Sequence, residues 1–250
     1  MNYILQNQVL KNFDNAALCY NKHAEIQKHI AKRLATICSN HSIPRGLWVD
    51  LGSGTGLLAQ SLEANNPGQQ VVRIDISKNM LTQHPTTSLT KAWDLNQGLP
   101  KWKESPKLLA SNFVLHWLNA PTIRLQEWLN SIAYDGWIAL ALPIEGSFPE
   151  WYNAAKSAQV HCSAVKFPSQ NELLTSFMPK QIKYKKVVTV TQNFSGVGPL
   201  FKSMIKIGAQ SSSQPSLKIS EWKRLQKAWI GLNKNEIALT WLIQILLIKK

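Results

Sequence analysis

The stretch Val49-Asp50-Leu51-Gly52-Ser53-Gly54-Thr55-Gly56 constrains the fold more than any other. An apolar run ends in an acid, and three glycines follow at alternate positions. Glycine tolerates backbone angles that other residues avoid, and it lets a ligand approach the main chain. Leu47–Gly52 reads as a buried strand, and Thr55–Asn65 as the helix after it. A strand, a tight glycine turn and a helix are the opening unit of a doubly wound sheet.

The rest of the chain keeps that rhythm. Val71–Ile76 is a second strand, and a short helix follows with Ser77 as its N-cap. A weaker third strand is expected within 87–95, a fourth over 107–112 and a fifth over 136–144, with a helix over 122–133. After residue 145 the pattern changes. Residues 148–160 and 169–177 read as helices, and 180–194 as a strand, with Ile182, Tyr184, Val188 and Val190 alternating. Two more helices are expected over 198–209 and 220–231, joined by a loop at 210–216. The apolar tail from Ile237, about 12 residues before its lysines, is too short to span a bilayer and reads as a buried last strand. An N-terminal helix is expected over Tyr20–Ile37, with Ile26, Ile30, Leu34 and Ile37 on one face. The expected architecture is α/β: a mostly parallel sheet of about seven strands, with a helical insertion at about 148–178 between strands five and six. We expect one domain over 1–250, with an N-terminal lid helix at about 13–37.

The glycine loop narrows the ligand. A dinucleotide fingerprint is G-x-G-x-x-G, whereas the spacing here is G-x-G-x-G, and Asp50 would repel a pyrophosphate. No G-K-[ST] ending follows, so a phosphate loop is excluded. A sulfonium amino acid fits better, because its ammonium group needs an acceptor; Asp50 can supply that charge or order the loop. Asp75, 19 positions after Gly56, ends strand two, where a carboxylate can take both ribose hydroxyls. Asp94 follows the weak third strand, where it can accept from an adenine amino group. Asn112 ends strand four. Together these resemble a class I S-adenosylmethionine-dependent methyltransferase, with Asp50, Gly52, Ser53, Gly54, Gly56, Asp75, Ile76, Asp94 and Asn112 expected at the cofactor.

The residues after strand four, Ser111-Asn112-Phe113-Val114, are not the [ND]-P-P-[YF] of amino methyltransferases. None of Cys19, Cys38 and Cys162 follows a proline, as a cytosine C5 nucleophile usually does. The 14 acids are dispersed, so no metal site is expected. Phe13, Ala16, Ala17, Tyr20, Ala24 and Gln27 match the opening of malonyl-[acyl-carrier protein] O-methyltransferases, the BioC family of biotin synthesis. Ser111, Asn112 and Trp117 are similar to that family's stretch after strand four, and Lys206, Gly208 and Ala209 to its late helix. The chain departs from the family at Lys107, where an acid is frequent, at Ser53, where a cysteine is common, and in the short region Leu81–Ala92. The resemblance implies methylation of the free carboxylate of a malonyl thioester, which primes biotin synthesis. It implies a lid helix carrying Tyr20, whose phenol can donate to a carboxylate, and a substrate-facing His116; these two are the candidate catalytic residues. A carboxylate is already ionised at neutral pH, so an enclosed pocket with few charges and no acid–base pair is expected.

Net charge is +14, which attracts an acidic partner. The resemblance makes that partner an acidic, malonyl-loaded acyl carrier protein. Lys202 and Lys206, four apart on one helix face, are the candidate docking residues, with further lysines concentrated after residue 179. Neither nucleic acid nor membrane is expected as partner. The alternatives are a methyltransferase acting on a free small carboxylic acid, one acting on RNA, which the charge allows although no RNA-binding module is recognisable, and a non-catalytic binding protein. Three scattered cysteines and an N-terminus without a basic stretch followed by an apolar one point to the cytoplasm.

Overall fold

The computed structural model describes residues 3–210, 216–232 and 237–250. Most of the loop expected at 210–216 lies outside the described residues. Among the described residues seven strands form one sheet: β1 (Trp48–Leu51), β2 (Val71–Asp75), β3 (Thr90–Ala92), β4 (Leu108–Asn112), β5 (Trp137–Pro143), β6 (Ile182–Phe194) and β7 (Ile237–Lys249). Their order is β3-β2-β1-β4-β5-β7-β6. The pairs from β3 through β5 are parallel, and β7 runs antiparallel to both β5 and β6. This is the mostly parallel, doubly wound sheet expected from the sequence.

Alternation along the strands makes two apolar layers. Val49 and Leu51, Leu109, and Ile138, Leu140 and Leu142 face one side, where Leu125, Trp128 and Leu129 of α6 (Pro121–Ser131) and Leu173 of α8 (Gln170–Leu174) cover them. Trp48, Leu108, Ala110, Ala139 and Ala141 face the other side. There they meet Ile30 and Leu34 of α3 (Glu25–Ser39), Leu58 and Leu62 of α4 (Leu57–Asn65), and Trp151 of α7 (Pro149–Ser157). The helices α7 and α8 lie between β5 and β6, as expected. Two more, α9 (Val197–Lys206) and α10 (Ile219–Leu232), lie between β6 and β7.

The N-terminal region differs from expectation. In place of one helix over 20–37 there are two, a single turn α2 (Tyr20–His23) and α3, and a further helix, α1 (Tyr3–Ala16), precedes them. The break falls at Ala24, whose ψ of 49° leaves the helical region. Ala24 is fully buried, and its N–H still donates to Tyr20 O while its C=O accepts from Lys28 N. Both backbone groups of Ala24 thus stay paired through the bend, which turns Tyr20 and Asn21 towards the glycine loop, where Thr55 Oγ1 donates to Asn21 Oδ1.

Strand order reverses beside β1, which has β2 on one side and β4 on the other. Crevices form at such switch points, outside the carboxyl ends of the strands. The loops after β1, β2 and β4 meet there.

Trp128 is among the largest fully buried side chains. Trp128→Ala is expected to lower unfolding stability by about 3–5 kcal/mol, the usual cost of such a cavity, read as a shift in the urea midpoint.

Candidate active site

The glycine loop is held by its own backbone and by two acids. Ser53 N–H donates to Ile74 O and Gly56 N–H to Ser53 O, both at 2.8 Å. Gly54 N–H donates to Asp75 Oδ2 at 2.8 Å. Asp75 Oδ1 accepts from Ser77 N–H at 2.8 Å, where Ser77 caps α5 (Lys78–Leu81). Behind the loop, Asp50 Oδ2 accepts from Ala59 N–H of α4 at 3.0 Å. This bond fastens α4 to β1.

Burial pushes the Asp50 carboxyl up to about 7, against the pull of the Ala59 N–H and of Arg73. Burial likewise pushes Asp75 up to about 6, against the Ser77 and Gly54 N–H donors. His84 supports the loop from behind: its Nε2 meets Gly54 O at 2.8 Å, so the neutral ring donates there. A Cβ on Gly56 would lie 2.7 Å from the His84 ring, whereas a Cβ on Gly54, at φ +53°, would meet nothing within 4 Å. Gly56 is small for packing, and Gly54 faces open space.

That space is a cavity of about 860 Å³, mouth included. Gly52, Gly54, Asp75, Ile76, Asp94 and Asn112 line it together. Asp94 Oδ1 accepts from Asn96 N–H at 2.9 Å. Asn112 Nδ2 donates to Gln27 O at 3.0 Å, and its buried Oδ1 has no partner among the described residues. Helix α1 forms the remaining wall through Val9, Leu10 and Phe13. Asp14 tethers it by accepting from Ser77 Oγ at 2.5 Å.

A second cavity of about 400 Å³ adjoins the first, and Phe13, Tyr20, Phe113 and Trp117 line both. His116 lies on the second cavity only. Its ring packs against Phe167 at 5.3 Å and Trp117 at 5.0 Å. Burial drives its pKa down to about 3, so it is neutral. Burial and the nearby Asp75 charge raise the Tyr20 phenol far above its ordinary value, so it stays protonated.

Most residues singled out in the sequence thus converge. Asp50 and Ser53 sit behind the loop, beside a small third cavity shared with Tyr20 and Gln27. Gly56 lies against His84, away from the cavities. Lys202 and Lys206 are exposed on α9, whose Met204 lines the second cavity. Sequence reasoning missed α1 as a wall, His84 as a loop support and Gln27 as a lining residue. Of these, Gln27 and the Phe13 end of α1 had a signal, their match to the family opening.

Residues 49–140 match the family described as Methyltransferase domain. Among similar proteins, a malonyl-[acyl-carrier protein] O-methyltransferase of Laribacter hongkongensis is 32% identical over 155 residues, 56% of this chain and 51% of that protein. The chain thus spans about half of that relative. A protein of the same name from Marinomonas sp. is 24% identical over 230 residues, 86% of this chain and 83% of that one. The solved structure of a SAM-dependent methyltransferase from Archaeoglobus fulgidus aligns with a TM-score of 0.51 at 16% identity, over 93% of this chain and 98% of that one; this likeness concerns the fold.

Two carboxyls with raised pKa set a pH dependence. Unfolded, both ionise near pH 4; folded, they hold their protons up to about 6 and 7. Unfolding therefore releases protons in this window, and the pair's contribution to stability falls as pH rises from about 4 to 7. The ligand-free chain is expected to show a lower urea midpoint at pH 7.5 than at pH 5, with a smaller difference in Asp50→Asn.

Proposed function

We propose that this chain, which carries an S-adenosylmethionine-dependent methyltransferase domain over residues 49–140, methylates the free carboxylate of a malonyl thioester on an acyl carrier protein. The observation that supports this most is the pairing of the cofactor cavity with a charge-free, aromatic second cavity at Tyr20. The relatives named malonyl-[acyl-carrier protein] O-methyltransferase support the substrate class.

The residues present suit the cofactor. Gly54 leaves a space that any side chain would fill, and Asn112 Oδ1 is an orphaned buried acceptor at the same wall. Asp75 would take the ribose hydroxyls, Ile76 and Asp94 the adenine end, and Gly52, Gly54 and Asn112 the amino-acid end. Asp50, Ser53 and Gly56 would act one step back, by shaping the loop. When bound, S-adenosylmethionine supplies a methyl group on a positively charged sulfur: the acceptor oxygen forms the new C–O bond as the C–S bond breaks, the electron pair stays on sulfur, and no proton is released.

The chain needs no general base for this chemistry, and His116, whose pKa burial lowers to about 3, would be a weak one. What the residues must do is orient the carboxylate and exclude water, effects worth up to roughly 7–11 kcal/mol together when geometry is ideal. The Tyr20 phenol, protonated and shared by both cavities, would donate to the carboxylate at the junction. The aromatic walls exclude water, which suits a step in which opposite charges vanish. Outside, Lys202 and Lys206 would steer an acidic carrier protein towards the mouth near α9. Three free cysteines suit a reducing compartment, so we place the activity in the cytoplasm. Among the described residues no helix is long and apolar enough to cross a membrane.

Labelled S-adenosylmethionine offered with malonyl-carrier protein, malonyl-CoA, free malonate and bulk RNA tests the reading. The expected result is strong labelling of malonyl-carrier protein that salt weakens, and a several-fold higher KM for it in Lys202→Glu/Lys206→Glu. Labelling of RNA alone or of free acid alone would refute the assignment. Gly54→Ala puts a methyl group into the cofactor space. It is expected to cost about 1–2 kcal/mol of stability through its positive φ, and to weaken S-adenosylmethionine binding measured by calorimetry by about tenfold or more.

A further inference from the structure

Three neutral polar side chains on the second cavity lack partners. Gln27 is 6% exposed, and its side-chain amide makes no hydrogen bond among the described residues. His116 is 8% exposed, and its Nδ1 is sealed from solvent with no partner. The Tyr20 hydroxyl also makes no hydrogen bond among the described residues. A buried polar group left unpaired costs about 1–3 kcal/mol, which applies to the sealed His116 Nδ1, and the Gln27 amide and the half-buried Tyr20 hydroxyl open on the same small cavity, so a common ligand would satisfy all three. The rest of the wall is apolar, with Phe13, Phe113, Phe148, Phe167 and Trp241 among its members, and no lining residue carries a formal charge.

Gln27 reaches this place for a backbone reason. It sits in the first turn of α3, just after the bend at Ala24, and its carbonyl is pinned by Asn112 Nδ2 at 3.0 Å. The same contact joins α3 to the end of β4, so the Gln27 backbone is fixed beside the second cavity.

We infer that Tyr20, Gln27 and His116 form a charge-free cradle for the acceptor's carboxylate, and that Gln27 is a specificity-determining residue of this site. The inference rests on the carboxyl-methylating function proposed above. Each member can donate one hydrogen bond to an anionic oxygen: the phenol O–H, the amide N–H and the imidazole N–H. Neutral donors hold the carboxylate without cancelling the charge that makes its oxygen nucleophilic; a lysine or arginine in the same place would hold it more tightly and deactivate it. The cradle has donors for one carboxylate, and the aromatic wall has none for a second. It therefore takes a single carboxylate on an otherwise uncharged arm, such as a half-thioester, in preference to a free dicarboxylate.

The test uses the full chain with malonyl-carrier protein and free malonate as acceptors, and compares wild type with Gln27→Met, Gln27→Glu and His116→Phe. S-adenosylmethionine affinity is measured separately by calorimetry, so it reports folding and the first cavity independently of turnover. The expected result is a KM for malonyl-carrier protein raised about 10- to 100-fold in Gln27→Met and His116→Phe, the value of one hydrogen bond to a charged group. Gln27→Glu is expected to be worse than Gln27→Met, because it sets carboxylate against carboxylate. Cofactor affinity should stay within about twofold of wild type in all three. Wild type that turns over malonyl-carrier protein, with variants that leave its KM unchanged or weaken the cofactor by the same factor, would overturn the cradle and leave the proposed function standing. Wild type that methylates neither carboxylate would overturn the function and the cradle with it.

Discussion

The carboxylate of Asp75 is the knot from which the site is strung. One oxygen accepts from Gly54 N–H, the other from Ser77 N–H. The first bond sets the glycine loop after β1; the second sets the start of α5. Ser77 then uses its hydroxyl to hold Asp14, which fastens α1 over the cavity. From the other side, Gly54 gives its carbonyl to His84. A single half-enclosed acid thus couples four segments that are remote in sequence. The cost shows in its raised pKa, since backbone N–H donors recover only part of the solvation that burial removes.

Asp50 plays a complementary part from below. It sits at 1% exposure and bonds to the backbone of α4. A hydrophobic residue there would leave the Ala59 N–H without this acceptor. The two acids divide the labour: Asp50 fastens the helix to the strand, and Asp75 faces the cavity while holding the loop. A sequence shows two acids near three glycines; only the fold, which buries Asp50 and sets Asp75 on the wall of the large cavity, reveals which one looks outward.

How much of this was legible follows from how local each signal is. The glycine loop and the alternation of β1, β4 and β5 are local patterns, and they placed the sheet and the residues at its carboxyl edge. Ser77 as a cap was legible because capping is decided within one turn, and Ser77 Oγ does accept from Met80 N–H. The break at Ala24 was not, because alanine is the best helix former and nothing local argues against continuing. Tertiary packing decides it: Ala24 is buried at the bend, and Asn21 is drawn to Thr55. Helix α1 was missed for a similar reason. Its sequence is rich in Asn and Gln, and its inner face becomes meaningful only against a cavity made by loops far along the chain. His84 lies in the short region before β3 and touches the loop through one ring nitrogen, a contact with no sequence signature.

The charge distribution separates two tasks that composition merges. Twenty-eight basic residues stand against 14 acidic ones, yet none of either kind lines the second cavity. A field that draws an acidic partner acts over about a Debye length, roughly 8 Å at physiological salt, and belongs on the surface. The site, by contrast, gains from low dielectric and fixed neutral dipoles, which cost no reorganisation when charge disappears. A basic side chain inside would serve attraction at the expense of reactivity. Under the proposed function the chain presents exposed lysines on the edge strand β6 and on α9, and lines its inner cavity with rings, one phenol, one amide and one neutral imidazole. Attraction is then set by the surface and reactivity by the interior, and substitutions in one leave the other largely unchanged.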